Sequence, residues 1–585
     1  MPNELSPTNP RAGDFPADKK LFRNWSELHS FALLTVATLL CLLPFVNKAF
    51  HMDDPLFIWT AQHIAGHPLD PYGFRVVWYA TETPVSDITK NPPLASYYAA
   101  FAGSLFGWSE RALHIAFLFP TLIVVLGTYR LARHFTAFPV LAAAITLCSP
   151  GFLVSSTTVM CDVTMLALWI VAILLWLVGL QSQNHLYLIA AAILIAAGAL
   201  AKYFGVALIP LLFFYTLHKQ RRLGASLFYL FIPALALAAY QYWTHGLYGR
   251  GLLSDALQYA TLHDRANGPS IAAKSMVGLA FAGGCAIPAL FLAPLLWTRK
   301  WLVVGLLSCG FAGLAVTLGW VHIEAPLAAP HWRLVSTQLA VFIAGGISVM
   351  GLVFAGIWRR SDPETVLLAL WVTGTLVFAT FVNWTINARS ILPMIPAMGI
   401  LIARQLESRA AHSRHFSTKL AATVFSSAVL TIWVTQSDAS LANAGRIAAN
   451  TVFADLRNLD TPIYFEGHWG FQYYMQQFGA KPADLRHTPF HSGDYLIIPE
   501  NTTNSFGPPP GFRLDGSLLQ FDLPAGVITM SQPVGAGFYA SVWGPLPYAF
   551  APVPPERYFR ARLVALPQRN DPFASLPKPV VRRSR

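Results

Sequence analysis

Two adjacent carboxylates, Asp53 and Asp54, open a polar stretch at residues 51–94, directly after the first long apolar run of the chain. An unpaired carboxylate near hydrocarbon costs roughly several kcal/mol, so an adjacent pair just beyond an apolar helix indicates a site that faces water or a substrate. Taken alone, the pair is also explained as the solvated start of a loop. A second acid on the same membrane face would favour the site, and finding one requires the topology of the chain.

The composition excludes a soluble globular protein. Hydrophobic residues make up 55% of the 585 residues and charged residues only 12%, and the mean hydropathy is +0.48. Apolar runs of membrane-spanning length recur from about residue 29 to about residue 436, which predicts a polytopic helical membrane protein. The formal net charge of +12 comes mainly from short basic clusters between these runs, as membrane topology requires, so no nucleic-acid partner is expected.

The alternation of apolar runs and basic clusters predicts about thirteen transmembrane helices, followed by a small α/β domain on the outer (periplasmic) face. Runs such as PIYFEG, DYLIIPE and GVITM predict strands of that domain, and WGFQYYMQQFG predicts a short helix. The predicted order is a cytoplasmic tail (1–28), a transmembrane domain (29–436) whose first outer loop (48–111) carries interfacial helices, the α/β domain (437–555) and a basic, Pro-rich tail (556–585).

This topology places the basic clusters on the inner face and a different set of ionisable residues on the outer face. The outer set comprises Asp53, Asp54, Glu82, Lys90, Asp162, Lys202 and Arg389. A wrong helix count would mix the two sets, so their separation supports the topology. The N-terminus is expected in the cytoplasm and the C-terminal domain in the periplasm of a bacterial inner membrane.

Each of the remaining outer residues has a structural and a functional interpretation. Asp162 begins an apolar helix, where an acid can serve as a cap, but with Asp53 on the same face it suggests a carboxylate pair suited to general-base catalysis. Lys202 interrupts an apolar hairpin, either as a snorkelling lysine or as a cation for an anionic substrate. Arg389 precedes a Pro-broken helix and suits bidentate phosphate binding. Lys90 precedes the rigid Asn91-Pro92-Pro93 sequence and could join these cations.

Acids and cations gathered on one face beside lipid predict an enzyme that handles a lipid-linked phosphate. The acids would deprotonate an acceptor, and the cations would hold a phosphate leaving group. Ion transport fits less well, because it would place paired ionisable groups near the bilayer midplane and usually shows inverted repeats.

The order of these motifs resembles the GT-C glycosyltransferases, in particular the protein O-mannosyltransferase and lipid A aminoarabinose transferase (ArnT-like) group. The resemblance rests on the acid pair after the first helix, the K-N-P-P-L entry at Lys90, the Asp at the start of the fourth helix, the Lys between the fifth and sixth helices, and R-S-I-L-P-M-I-P from Arg389. It covers roughly residues 29–436. Such enzymes transfer a sugar, with inversion, from a polyprenyl-phosphate donor to an acceptor at the outer membrane face.

The resemblance implies a role for each matched residue. Asp53 is the candidate general base, Asp54 stands at the second position of the family's Asp-Glu pair but is one methylene shorter, and Asp162 supports the base or orients the acceptor. Lys202 and Arg389 match cations near the donor phosphate.

Two further residues are candidate substrate-binding groups with a weaker match. Lys90-Asn91 stands where the aminoarabinose transferases have Glu-Lys. Glu82 lies too far from this pair in sequence to be assigned as a substitute for the missing Glu.

Several alternatives stay open from the sequence. No cofactor is assigned, although the outer-loop histidines (His245, His263, His322 and His331) could ligate a divalent metal; scattered histidines are more often ordinary loop residues. The acceptor could be a protein, lipid A or another glycolipid, or a cell-envelope glycan. The rival functions are an oligosaccharyltransferase or glycan polymerase, a lipid-linked glycan flippase or transporter, and a lipid-phosphate-sugar binding protein without turnover.

Overall fold

The computed structural model describes residues 26–262, 270–320, 331–409, 416–458, 461–503 and 505–566. Most of these residues are helical. The α-helices are α1 Glu27–Leu42, α2 Asp54–Gly66, α3 Val85–Ile88, α4 Leu94–Phe106, α5 Glu110–Ala132, α6 Pro139–Leu147, α7 Pro150–Ser155, α8 Cys161–Ser182, α9 His185–Ala201, α10 Leu208–Gln220, α11 Phe231–Tyr248, α12 Leu252–Leu262, α13 Ile271–Cys285, α14 Pro288–Phe291, α15 Ala293–Leu296, α16 Arg299–Thr317, α17 Trp332–Arg359, α18 Pro363–Val377, α19 Ala388–Ile391, α20 Ile395–Glu407, α21 Phe416–Leu456 and α22 Trp469–Gln477.

Within the described ranges, eight helical segments are long and apolar enough to cross a membrane. They are Glu27–Phe45, Glu110–Ala132, Cys161–Ser182, Ala225–Tyr248, Arg299–Thr317, Trp332–Arg359, Pro363–Val382 and Phe416–Leu456. Shorter helices such as α6, α9, α10, α13 and α20 occupy the other predicted spans. The protein is therefore a helical membrane protein, and the count of about thirteen spans stays a prediction.

Local sequence explains where several of these helices begin. Ser109 and Asp362 precede helices α5 and α18, and their side chains accept hydrogen bonds from the amides of Ala112 and Thr365. These contacts satisfy backbone donors that have no partner inside the first turn. Pro363 at the first helical position of α18 lacks the amide hydrogen that would otherwise need a partner.

Helices α13 and α17 pack with their backbones in contact at small residues. A Cβ atom added to Gly283 would lie 1.9 Å from the carbonyl oxygen of Phe342, and one added to Gly346 would lie 2.2 Å from that of Leu279. Small residues permit this approach, which favours association of helices in lipid, where apolar burial gives no driving force.

Helix α21 differs from its prediction. It was expected to end near residue 436, but it continues to Leu456 and is 41 residues long in total. At 1.5 Å per residue this is about 62 Å, roughly twice the thickness of the hydrocarbon core. The segment S-D-A-S-L-A-N-A-G-R-I-A-A-N is less apolar than a span but rich in alanine, a strong helix former, so the change in composition marks the end of hydrocarbon and not the end of the helix.

The C-terminal part of the chain contains a five-stranded mixed sheet. The first outer loop holds the hairpin β1 Arg75–Val77 and β2 Glu82–Pro84, and the later strands are β3 Ile463–Phe465, β4 Lys481–Pro482, β5 Tyr495–Pro499, β6 Phe512–Phe521, β7 Met530–Ser531, β8 Ala536–Gly537 and β9 Glu556–Ala565. The sheet order is β4-β3-β5-β9-β6, with β3 parallel to β4 and β5 and the other pairs antiparallel. The segment from β3 to β9, which includes α22 and the five-stranded sheet, is called the α/β unit below.

Strand β9 corrects the predicted domain boundary at residue 556. The segment Glu556–Ala565 was expected to begin the basic, Pro-rich tail, but it lies inside the sheet, paired with both β5 and β6. Tyr558, Ala561 and Leu563 are buried, although two successive half-buried residues, Phe559 and Arg560, interrupt strict alternation. Its three arginines suggested a basic tail, and only Arg560 and Arg562 stand at the two-residue spacing of a strand. Residues 567–585 and most of the N-terminal tail (1–25) lie outside the described residues.

The α/β unit packs against the backbone of the loop at residues 48–111. A Cβ atom on Gly470 would lie 2.0 Å from the carbonyl oxygen of Phe50. The amide of Phe50 donates to the hydroxyl of Tyr474, and the side chain of Gln472 donates to the carbonyl of Val77. The loop that carries the acid pair is therefore held from its C-terminal side.

The packing of α13 on α17 predicts that Gly346→Ala lowers the apparent Tm. The added methyl group has no space, and overpacking of this kind costs about 1–3 kcal/mol. The matched control is Gly374→Ala in α18, where nothing lies within 4 Å of the new atom and alanine should favour the helix by up to about 1 kcal/mol. Thermal unfolding of both variants in one detergent would contradict the packing account if their Tm values shift equally.

Candidate functional site

The acid pair lies in a tightly held turn between α1 and α2. Met52 adopts a φ of +47°, a left-handed conformation that a non-glycine residue keeps only when its surroundings enforce it. The amide of Ala49 donates to the side chain of Asn443 at 2.9 Å. The turn is thus fixed by contacts to α21 and to the α/β unit.

Asp54 is completely buried and joins this turn to the entry of α8. Its two carboxylate oxygens accept hydrogen bonds from the amides of His51 and Val159, each at 2.8 Å. Burial raises the pKa of Asp54 to about 7, against the opposing influence of Lys48 and of the two amides. Both oxygens are engaged, so the position of Asp54 gives no support to its predicted catalytic role and indicates a structural one.

Asp53 differs from its neighbour in being accessible. Its side chain is 38% exposed, and its Oδ2 accepts a hydrogen bond from Nη1 of Arg389 at 2.9 Å. Among the described residues, no hydrogen-bond partner contacts the other carboxylate oxygen. Asp53 is therefore an acid that one strong donor orients while one oxygen remains open to a ligand.

Arg389 connects Asp53 to the second acid. Its Nε lies 3.3 Å from Oδ2 of Asp162, an ion pair without hydrogen-bond alignment, and its Nη1 lies 3.0 Å from the sulfur of Met160. Asp162 is 1% exposed, and its Oδ1 accepts a hydrogen bond from Nζ of Lys202 at 2.6 Å. Four of the predicted site residues thus form one chain of alternating charge, Asp53–Arg389–Asp162–Lys202.

Different helix termini supply each member of this cluster. Asp53 precedes α2, Asp162 lies in the first turn of α8, Lys202 follows α9 and Arg389 lies in the short helix α19. Helix termini leave side chains at the edge of an apolar bundle while their backbones stay satisfied. Long-range folding, not sequence proximity, therefore assembles the site.

The loop of Arg389 is held from both sides. Asn387 caps α19 by accepting a hydrogen bond from the amide of Ser390 at 2.8 Å. The amide of Ala388 donates to the carbonyl of Phe538, and the amide of Ser541 donates to the carbonyl of Ile386. The segment 538–541 of the α/β unit therefore positions Arg389, a contribution that no motif in the sequence predicts.

The electrostatics keep Arg389 charged. Burial lowers the pKa of its guanidinium, but the carboxylates of Asp162 and Asp53 raise it by more, so the pKa lies above its ordinary value. A permanently charged planar donor suits the oxygens of carboxylate or phosphate. The cluster therefore keeps a charged guanidinium between two carboxylates.

Lys90 lies at the margin of the cluster. Its Nζ bonds Oδ2 of Asp255 at 2.6 Å and sits 5.4 Å from the ring centre of Tyr259. Burial raises the pKa of that tyrosine, and the charge of Asp53 adds to the increase, which places Tyr259 within electrostatic reach of Asp53. Lys90 is therefore close to the Asp53 cluster but outside it, and its ammonium group is paired with Asp255.

The structure does not bring Glu82 to the cluster. Glu82 pairs with Arg75 across the β1–β2 hairpin at 3.2 Å and is exposed, while its amide donates to Asp484 of the α/β unit at 3.0 Å. Its contacts are those of a docking hairpin, so its predicted substrate-binding role finds no support in its position.

The histidines show no metal-ligand geometry in the described part of the chain. No group of three His, Cys, Asp or Glu residues there could hold a metal ion. His245 is exposed on α11, and His331 immediately precedes α17. His263 and His322 lie outside the described residues.

A buried ion pair that the sequence analysis did not identify lies behind the acid turn. Nζ of Lys48 lies 2.6 Å from Oδ2 of Asp438, and both side chains are fully buried. Lys48 also donates to Thr157, while Thr529 and Tyr539 donate to Asp438. The sequence carried little signal for this pair, because Lys48 and Asp438 each lie just beyond the end of an apolar run, where charged residues are ordinary.

A small cavity of about 40 Å³ lies beside the acid turn, between α21 and the α/β unit. His51, Trp469 and Glu556 are among its lining residues, and the Nε2 atom of His51 is buried with no hydrogen-bond partner among the described residues. Burial raises the pKa of Glu556 to about 7, against the hydrogen bond from Asn501. Polar side chains therefore line this cavity, and one of them, His51, lies two residues before Asp53 in the chain.

Comparison with known families identifies one matching family model. The model for dolichyl-phosphate-mannose-protein mannosyltransferases matches residues 90–243, a segment that includes Asp162 and Lys202. Over that segment the match confirms the resemblance to GT-C membrane glycosyltransferases. No curated protein matches the sequence.

Two solved structures illustrate the similarity in fold. The chain is 13% identical to ArnT from Cupriavidus metallidurans bound to undecaprenyl phosphate, covering 81% of this chain and 93% of that one at a TM-score of 0.40. It is 13% identical to the oligosaccharyltransferase AglB from Archaeoglobus fulgidus, in complex with an inhibitory peptide and a dolichol-phosphate, covering 82% and 70% at a TM-score of 0.46. Both TM-scores are below 0.5, so we draw no functional conclusion from these similarities.

The buried pair predicts that Lys48→Met strongly lowers the apparent Tm, because it leaves Asp438 charged and unpaired. Breaking such a pair from one side costs about 3–5 kcal/mol. The control is Arg75→Gln, which removes an exposed pair worth about 0–1 kcal/mol. The double variant Lys48→Met/Asp438→Leu should recover most of the loss in thermal unfolding. A single variant as stable as the control would contradict the account.

Proposed function

We propose that this protein transfers a sugar from a polyprenyl-phosphate-linked donor to an acceptor at the outer, periplasmic face of a bacterial inner membrane. The observation that carries the proposal is the Asp53–Arg389–Asp162–Lys202 cluster, which joins an accessible acid to two cations at the ends of apolar helices. An acid beside cations at the edge of the lipid suits a reaction in which a lipid phosphate leaves as an acceptor is deprotonated.

In this proposal Asp53 is the general base. Arg389 orients its carboxylate through Oδ2, and the other oxygen is available to accept the proton of an acceptor hydroxyl. As the proton moves to Asp53, the acceptor oxygen forms a bond to the anomeric carbon of the donor. Positioned proton transfer of this kind contributes roughly 10²–10⁴-fold to the rate.

The same step breaks the bond between the anomeric carbon and the phosphate oxygen. The electron pair departs with the lipid phosphate, whose growing negative charge requires stabilisation. Arg389 and Lys202 supply it by turning part of their hydrogen bonding from carboxylates to the phosphate. Because attack and departure occur on opposite faces of the carbon in a single displacement, the configuration inverts.

Asp162 acts in this proposal as a positioning residue. It is nearly inaccessible, and it contacts both cations. Its negative charge holds Lys202 and Arg389 on the same carboxylate and offsets the repulsion between the two cations, so that one phosphate can contact both.

Removing the base should abolish transfer without unfolding the protein. Asp53→Asn keeps an acceptor for Arg389 but cannot take a proton, so kcat should fall by roughly 10²–10⁴-fold while Tm changes little. The assay follows release of label from polyprenyl-phosphate mannose, glucose or aminoarabinose, with a membrane extract as acceptor source. Glu82→Gln is the matched control, because its carboxylate lies on the outer hairpin.

Either of two results would count against this assignment. Near-normal turnover by Asp53→Asn would remove Asp53 as the base. Binding of donor by both proteins with no turnover of any donor would redirect the function to a lipid-linked glycan flippase or to a binding protein.

Weakening a cation should affect use of the donor. Lys202→Gln removes one charge-assisted hydrogen bond to the phosphate, so kcat/KM for the donor should fall roughly 10- to 100-fold. Lys202→Arg, which keeps the charge, should recover part of the loss if the lysine binds phosphate. Lys481→Gln, at an exposed position of β4, serves as the surface control. Unchanged donor kinetics in a folded Lys202→Gln protein would contradict the phosphate role.

A further inference from the structure

A cleft of about 530 Å³ opens at the end of the helical bundle away from the Asp53 cluster. Helix α20 gives the direction: it starts just after Arg389, and Arg404 near its far end lies fifteen residues further along the chain, about 20 Å at the helical rise. The cleft is bounded by the ends of α17, α18 and α20 and by the loop between α5 and α6.

Three arginines line this cleft with a single carboxylate. Arg359 and Arg360 end helix α17, Arg404 lies in the last turn of α20, and the acid is Glu407. Among the described residues, neither Arg359 nor Arg360 forms an ion pair, and Arg359 contacts only the side-chain oxygen of Gln405, at 3.0 Å. Positive charge therefore accumulates in a concave space of ligand size.

The nearby acids offset only part of this charge: Glu407 and Asp362 are two carboxylates beside three guanidinium groups, and both also accept hydrogen bonds at helix N-termini. Oε2 of Glu407 accepts hydrogen bonds from the hydroxyl of Thr136 at 2.7 Å and from the amide of Ala137 at 2.9 Å, before α6. Asp362 caps α18 through Thr365 and lies 3.9 Å from Arg404, at the limit of an ion pair.

A second observation in the same cleft also indicates an anionic ligand. The side-chain nitrogen of Gln405 is buried and has no hydrogen-bond partner among the described residues. A buried donor without a partner is costly, and it is commonly satisfied by a ligand or by ordered water. Gln405 thus adds a hydrogen-bond donor to two unpaired guanidinium groups.

A neighbouring cleft provides an internal comparison. It has about 510 Å³ and contains Arg130 and Arg133, but both arginines pair with Glu27, at 2.6 and 2.9 Å. The two clefts are similar in size and share the basic end of the bundle. They differ in ion pairing: Arg130 and Arg133 both pair with Glu27, whereas Arg359 and Arg360 have no carboxylate partner among the described residues.

We propose that the Arg359–Arg360–Arg404 cleft binds the phosphate of an anionic phospholipid headgroup from the leaflet opposite the Asp53 cluster. Guanidinium groups bind phosphate oxygens in a bidentate manner, and basic pockets between transmembrane helices suit anionic headgroups. The neighbouring exposed apolar side chains, Phe354 and Trp358 of α17, would lie against the acyl chains. The proposal is independent of the glycosyl transfer reaction.

The test compares thermal unfolding of the full chain in nanodiscs of phosphatidylcholine with and without phosphatidylglycerol. A ligand that binds the folded state raises Tm, so phosphatidylglycerol should raise the Tm of the wild type. Arg359→Gln/Arg360→Gln, at exposed positions, should lose at least about half of that rise. Arg130→Gln/Arg133→Gln is the matched control. Phosphatidylglycerol should raise its Tm as much as that of the wild type, even if its Tm in phosphatidylcholine differs.

A second arm separates a lipid from a free anion. Protein in phosphatidylcholine nanodiscs receives inorganic phosphate at constant ionic strength, and native mass spectrometry counts the phosphatidylglycerol molecules retained by each variant. We expect no stabilisation by inorganic phosphate and one fewer retained lipid in Arg359→Gln/Arg360→Gln than in the wild type. An equal phosphatidylglycerol effect in both double variants, or full stabilisation by inorganic phosphate alone, overturns the proposal.

Discussion

The bridge that Arg389 forms between Asp53 and Asp162 is the interaction on which the rest of the site depends. Charged groups beside hydrocarbon are costly unless paired, and here one guanidinium satisfies an accessible acid and a buried one. Lys202 completes the balance at the buried acid. The alternating chain lets two cations and two acids share a small space, and in the proposed reaction a phosphate replaces a carboxylate partner of the cations.

The surrounding structure serves to hold the two ends of this bridge. Asp54 joins the turn of Asp53 to the segment before α8, the helix that carries Asp162. Behind it, the buried Lys48–Asp438 pair ties the same turn to α21. Such a pair adds little net stability compared with apolar packing, but it is strongly unfavourable when broken, so its contribution is to enforce one geometry. The α/β unit completes the arrangement through its backbone contacts to the loop of Arg389.

Much of this site follows from the sequence because membrane topology sorts ionisable residues by face. Asp53, Asp162, Lys202 and Arg389 lie far apart along the chain, and helix counting alone predicted that they share one face. The structure brings these four into contact, while their chemical roles stay predictions. Lys90 reaches only the margin, and Glu82 lies on a hairpin that docks the α/β unit.

The sequence could not distinguish the roles of the adjacent residues Asp53 and Asp54, and it could not show where α21 ends or that β9 is a strand. Asp53 and Asp54 are adjacent and identical in type, yet one is accessible and the other saturated, since the direction of each carboxylate depends on a turn enforced by distant contacts. The length of α21 was missed because hydropathy reports the end of a membrane span and not the end of a helix. Strand β9 was missed because its three arginines resembled a basic tail, and their spacing does not follow the two-residue period of a strand.

The measurement that tests the central claim most directly is a structure of the protein with a polyprenyl phosphate bound. The account predicts the phosphate within hydrogen-bond distance of both Arg389 and Lys202, with the exposed oxygen of Asp53 facing the space where a sugar would extend. A phosphate bound elsewhere, with the Asp53–Arg389–Asp162–Lys202 contacts unchanged, would contradict the claim that this cluster is the site of transfer.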